Sequence, residues 1–185
     1  MLRSLFGKGR KKSSGNVPAD DSIRSARIGD VLFIPGLWET GEDAYLIVER
    51  ITKLESRYGD SFELALVDGE RRASIEWSDH DGLHISVVLQ DRPMGLSAVG
   101  LDYDVLVEWD EHKSLDNSFE YDGHSYYYRN SYEVLYDKGG QGFWLWEFVR
   151  EDEEGGVSVV KMGDQPFEVY VSIYIPPHIV TVYHK

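Results

Sequence analysis

The stretch "SDHDGLH" (78–84) is where metal-binding side chains crowd together, with His80 and His84 beside Asp79 and Asp81. A zinc or similar site needs three or four such donors converging on one point, and on a helix two histidines would stand one turn apart. Here they straddle an Asp-Gly turn, which places them at a hairpin tip, and no third and fourth ligand follows from the sequence. His80 and His84 are therefore contact candidates with no metal assigned. His112, His124, His178 and His184 are scattered, and no serine stands in a Gly-x-Ser-x-Gly elbow. The chain has no cysteine. A hydrolase triad, thiol catalysis and a thiolate zinc site all lack support, so no catalytic residue and no cofactor are assigned.

Three further segments carry polar or aromatic clusters. "DKGGQG" (137–142) has the glycines of a phosphate loop but neither a Gly-Lys-Ser/Thr ending nor a following helix, and reads as a hairpin turn. "REDEEGG" (150–156) sets Glu151, Asp152, Glu153 and Glu154 in a row, a contact candidate for a cation or basic peptide as well as a solvated tip. "GFWLWEF" (142–148) places Phe143 and Leu145 on one face of a strand and Trp144, Trp146 and Phe148 on the other. Both faces then need cover, because three aromatics represent on the order of 10 to 15 kcal/mol of gross burial. The strand is expected to be an inner one, with Trp144 and Trp146 as scaffold; their other reading is an aromatic platform for a ligand or partner.

The charge is divided unevenly. Residues 1–27 hold seven Lys/Arg and two Asp/Glu, residues 28–185 twelve and thirty-one, giving +5 and −19. A body at −19 repels phosphate backbones, so no nucleic-acid partner is expected, and basic protein surfaces or small cations are favoured. The leader, residues 1–27, has no apolar period beyond its start and reads as flexible. Leu2, Leu5 and Phe6 lie at i, i+3 and i+4 among Arg3, Lys8, Arg10, Lys11 and Lys12, a pattern suited to weak contact with anionic membrane. It is too short in apolar residues for a signal peptide or a span, and the expected location is cytoplasmic, peripheral at the inner membrane through the leader.

The elements that must position these groups are short runs rich in Val, Ile, Tyr, Phe and Trp between Gly and Asp turns, the signature of antiparallel β-structure. Strands are expected at about 30–35, 44–53, 61–67, 71–77, 83–90, 118–121, 124–128, 131–137, 142–150, 156–162, 166–173 and 178–183. One short helix is expected near 102–111, with Leu101, Val105 and Trp109 on one stripe and Asp102 as cap. The fold class is mainly β: antiparallel sheets forming a sandwich or barrel-like roll in a single domain, 28–185, of two pseudo-repeated halves, about 28–95 and 117–183. "DGLHISVVLQDRP" (81–93) echoes "EGGVSVVKMGDQP" (154–166), each with a serine, Ser86 or Ser158, inside a β-branched run. "YLIVERI" with "FELALVDG" likewise parallels "YEVLYDKG" with "FWLWEFV".

In order along the chain, "IGDVL" (28–32), the Gly-Leu and acidic element at 100–104, the F-x-Y-x-G-x-x-Y pattern at 119–126 and the W-x-W-E-F strand at 144–148 resemble the bacterial domain of unknown function 4178. The resemblance implies no activity and no catalytic residues. It implies a bacterial setting beside membrane-stress proteins and enzymes of polyamine or peptide-ligation chemistry. The function expected first is a non-enzymatic accessory or interaction domain whose acidic surface meets a basic partner protein. The alternative is a small-ligand domain for polyamine-like cations, or an enzyme, with its pocket between the two halves.

Overall fold

The Asp-Gly turns at Gly69, Gly82 and Gly123 reverse the chain, and the strands on either side of each pair with one another. The tightest is Asp122-Gly123, whose φ values of 49° and 78° make the two-residue turn that matches strand twist, closing the pair Tyr121↔His124. The computed structural model describes residues 21–136 and 140–185. It contains β1 (Val31–Ile34), β2 (Ala44–Ser56), β3 (Gly59–Asp68), β4 (Arg71–Asp79), β5 (Leu83–Val88), α1 (Tyr103–His112), β6 (Ser118–Tyr121), β7 (His124–Tyr136), β8 (Gly142–Arg150), β9 (Gly155–Lys161), β10 (Glu168–Tyr174) and β11 (Thr181–Tyr183).

All strands join one antiparallel sheet in the order β11-β1-β2-β3-β4-β5-β10-β9-β8-β7-β6, and β2 also pairs β7. Two four-stranded meanders, β2 to β5 and β7 to β10, thus meet at two seams. One seam pairs Ile173 with Val87 and Tyr174 with Ser86; the other pairs Leu54 with Tyr136, Glu55 with Leu135 and Ser56 with Val134. The result is a ring of eight strands that is not a regular barrel. Like strands meet at both seams, first with first and last with last.

The two long strands make closure work. β2 and β7 are each thirteen residues, and each shifts register around its sixth residue, Glu49 or Arg129. Such a bulge bends a strand and sharpens its twist. Before the bulge β2 bonds β1 and β7 bonds β6; beyond it their ends reach across to one another. Expected strands 124–128 and 131–137 are one bulged strand, because the register shift at Arg129 interrupts the alternation without breaking the ladder. The segments 81–93 and 154–166 contain β5 and β9, which occupy different places in the two meanders. The Gly155-Gly156 pair, read as a turn, begins β9.

Side chains alternate along each strand, so the ring has two surfaces. Outward-facing Leu64, Leu66, Ile75, Ile85 and Val87 form one core, covered by β1, β11 and Ile23, Leu37 and Trp38. Ile23 is buried, so residues 21–27, grouped with the leader in the sequence, belong to the body. Outward-facing Trp146, Phe148, Val157, Val159 and Val169 form a second core under α1, β6 and Val99 and Leu101. Asp102 caps α1 by accepting from the Val105 N–H at 2.9 Å, as its position before the apolar stripe predicts. Asp110 ties the helix to β7 by accepting from the hydroxyls of Tyr128 and Ser131. Among the described residues no helix is long and apolar enough to cross a membrane.

Candidate ligand-binding lumen

With the apolar residues facing outward, the alternate positions fall inside the ring, and many are polar. The interior holds two connected chambers of about 330 and 590 Å³. Glu76, Ser86, Leu145, Ser158 and Ser172 line both and so form the waist between them. The smaller chamber is closed at the β2–β7 seam by an apolar plug of Leu54, Val134, Phe143 and Leu145. The larger is walled by Trp77, Arg129, Glu147 and Tyr174, with His84 and Glu153 also in its lining.

Strand register sets the polar belt. Glu76 on β4 stands opposite Ser86 on β5, and Ser86 opposite Tyr174 on β10; on the other wall Glu147 on β8 stands opposite Ser158 on β9. Gly156 makes room for the Tyr174 phenol, since a Cβ there would lie 2.6 Å from its oxygen and 2.6 Å from the Phe148 carbonyl. At Gly155 a Cβ would collide instead with the Ser172 carbonyl, so β9 opens on two glycines despite their cost in a strand.

The two lumenal carboxyls are unusual. Glu76 keeps accessible surface because it faces open space, yet protein surrounds it; burial raises its pKa, Ser61 opposes by hydrogen bonding, and the charge of Glu63 adds to the rise. Burial pushes Glu147 up to about 7, opposed by the Tyr132 hydroxyl, reinforced by the charge of Glu76 and opposed by Arg129. Burial and then Glu147 hold Tyr132 far above the ordinary phenol range, and Tyr174 is pushed up to about 12 for the same two reasons. Arg50 is taken by Glu63 at 3.5 Å and Arg72 by Glu49 at 3.3 Å. Among the described residues no lysine or arginine lies within ion-pairing distance of Glu76 or Glu147. The belt therefore offers acceptors and hydroxyls to a guest that carries donors.

The residues singled out in the sequence are dispersed. His84 Nε2 bonds Asp81 Oδ1 at 3.0 Å beside the larger chamber, whose lining also includes Glu153. The His80 ring instead covers the backbone of Gly59, where a Cβ would collide with it. Among the described residues no group of three or more His, Asp and Glu is arranged to hold a metal. The acidic run is largely engaged: Arg150 Nε meets Asp152 at 2.7 Å and its terminal nitrogen meets Glu154 at 3.3 Å, while Glu151 lies 3.8 Å from His124 Nδ1. Leu2, Arg3, Leu5, Phe6, Lys8, Arg10, Lys11 and Lys12 lie outside the described residues, as do residues 137–139 of the glycine-rich turn.

The tryptophan strand is inner, as expected, with β7 and β9 on either side. Trp146, at 5 % exposure, is core; Trp144, at 40 %, is not. The expectation that both are interior scaffold is corrected for Trp144: it lines an outer groove with Trp146, Tyr103, Phe167 and Lys161, because α1 covers only part of this face. Sequence reasoning missed Glu76, Glu147, Tyr132 and Tyr174. One signal was present: an acid on the inward face of each of two apolar strands, at "SIEW" and "LWEF", together with the two serines inside β-branched runs. No known family model, no curated protein and no solved structure matches the chain.

Proposed function

We propose that this protein is a non-covalent binding module for a small organic cation, an amine or guanidine the size of a diamine or short polyamine, held inside the ring. The observation that carries this reading is the placement of Glu76 and Glu147, from opposite meanders, around one chamber, where among the described residues neither has a lysine or arginine at ion-pairing distance and Arg129, in the same lining, only opposes the rise at Glu147. An ammonium group between them relieves their mutual repulsion and replaces the water lost on burial with charge-assisted hydrogen bonds. Ser86, Ser158, Ser172 and the two tyrosines supply further polar contacts. The −19 charge of residues 28–185 raises the local concentration of such cations and disfavours anions. The reading as an accessory domain with an acidic docking surface draws on the same field, but Asp152 and Glu154, put forward to carry it, are occupied by Arg150.

The experiment is a thermal-shift comparison of 1,4-diaminobutane and spermidine with 1,4-butanediol, at matched ionic strength. The amines raise the melting temperature of the wild type and not of Glu76→Gln combined with Glu147→Gln; the diol raises neither. Equal shifts from sodium chloride, or an unchanged response in the double variant, contradict the reading.

A further inference from the structure

The outer groove beside α1 has the composition of a docking site for a basic amphipathic segment. Its volume is about 600 Å³, and Tyr103, Val107, Trp144, Trp146 and Phe167 give it an apolar floor. The four rings run in sequence, Trp144 to Trp146 at 6.2 Å, Trp146 to Phe167 at 6.0 Å and Phe167 to Tyr103 at 5.7 Å. Tyr103 is 56 % exposed and Trp144 40 %, large aromatic surface left to water at the edge of an otherwise covered core. The Trp146 indole N–H is buried and has no hydrogen-bond acceptor among the described residues. The flanking helix carries Asp104, Glu108, Asp110 and Glu111 and no lysine or arginine. Lys161 in the groove wall donates to the Gln165 carbonyl and lies over the Phe167 ring.

We propose that residues 1–12 of this chain are the occupant, with Leu2, Leu5 and Phe6 against the aromatic floor and Arg3, Lys8, Arg10, Lys11 and Lys12 along the acidic helix. Charge complementarity supports the match: these five basic residues precede the first acid of the sequence, Asp20, and the helix beside the groove bears four carboxylates, of which Asp110 and Glu111 line the groove itself. Length permits it. Fourteen residues lie between Phe6 and Asp21, where the described chain begins, an extended reach of about 50 Å. The body has a radius of gyration of roughly 15 Å. The apolar residues that suit a membrane are then sheltered in the groove, and lipid and groove compete for one segment.

The chain has no cysteine, so Ser4→Cys accepts a single nitroxide spin label on the full-length protein. Paramagnetic broadening is read at the indole N–H signals of the five tryptophans. Trp144 and Trp146 lose intensity while Trp38 and Trp77 keep theirs, and the loss disappears when Leu5→Asp and Phe6→Asp are added or when salt is raised to screen the five cations. Far-ultraviolet circular dichroism and the melting temperature of the Leu5→Asp, Phe6→Asp protein, expected to match the wild type, check that the fold is retained. Uniform broadening, or none, overturns the proposal. A mixture of isotope-labelled protein without spin label and spin-labelled protein without isotope reports on a second copy; broadening there equal to that within one chain overturns the intrachain assignment. Trp144 broadening that persists undiminished when anionic phosphatidylglycerol vesicles pellet the protein overturns the competition.

Discussion

Glu76 and Glu147 approach the larger chamber from different meanders, and the charge of Glu76 helps hold Glu147 protonated near neutral pH. The arrangement stores free energy that a bound cation can recover. It also fixes a sign for stability against pH. Glu147 rises from an ordinary carboxyl value to about 7 in the folded state, so the folded protein holds a proton that the unfolded chain releases. Stability contributed by this group falls as pH rises from about 4.5 to 7, by a total of about 3 kcal/mol. Glu147→Gln removes that penalty. It stabilises the protein at pH 8 and leaves it nearly unchanged at pH 4, as read by urea unfolding at both; an equal gain at the two pH values contradicts the assignment.

Asp30 behaves oppositely. It is buried, at 4 % exposure, and although burial raises its pKa, acceptance from His184 Nδ1 at 2.9 Å, the Lys185 N–H at 3.1 Å and the Arg27 N–H at 2.9 Å leaves it below the usual carboxylate range. Its contribution is therefore present above the ordinary carboxyl pKa and lost as pH falls through the folded value. Asp30→Ala costs about 1 to 3 kcal/mol at pH 7 by orphaning these donors, and less at pH 3. Chemical denaturation of both proteins at the two pH values checks it.

The two faces of β8 differ in what truncation removes. Phe148 is packed among Trp109, Phe119 and Tyr128 at centroid distances of 5.9, 5.1 and 5.9 Å. Phe148→Ala costs about 3 to 5 kcal/mol. Trp144→Ala, at the open groove, costs below about 1.5 kcal/mol in global stability. Denaturant midpoints of the two variants should differ in that order.

Gly156→Ala tests the close approach of β9 to the lumenal phenol. The added Cβ meets the Phe148 carbonyl and Tyr174, so the ladder or the ring must shift, at a cost of about 1 to 3 kcal/mol. A crystal structure or melting curve that matches the wild type contradicts the claimed contact.

Local patterns were readable because they are local. β6 and β8 fall at their expected positions, and α1 begins one residue after the cap that Asp102 announces. A barrel-like roll was one of the two expected forms, but the pairs that close the ring were not readable, since the seams join Leu54 to Tyr136 and Val87 to Ile173 across more than eighty residues, and no turn chemistry specifies such pairs. Alternation separates two faces of a strand without saying which one encloses space. Glu147 in "LWEF" was therefore passed over: it shares the face of Phe143 and Leu145, which encloses space, while the Trp146 and Phe148 side is the outside of the ring, covered by α1. Trp144 was misjudged for a related reason: the sequence shows that an aromatic face needs cover but not how far the covering helix extends.

Isothermal titration calorimetry with spermidine at pH 7, in two buffers of different ionisation enthalpy, tests the lumenal site most directly. The account predicts binding to the wild type accompanied by proton release, as the arriving cation ionises Glu147, with both binding and release abolished by Glu76→Gln with Glu147→Gln. Heats that are buffer-independent and survive the double substitution would place the amine elsewhere and contradict it.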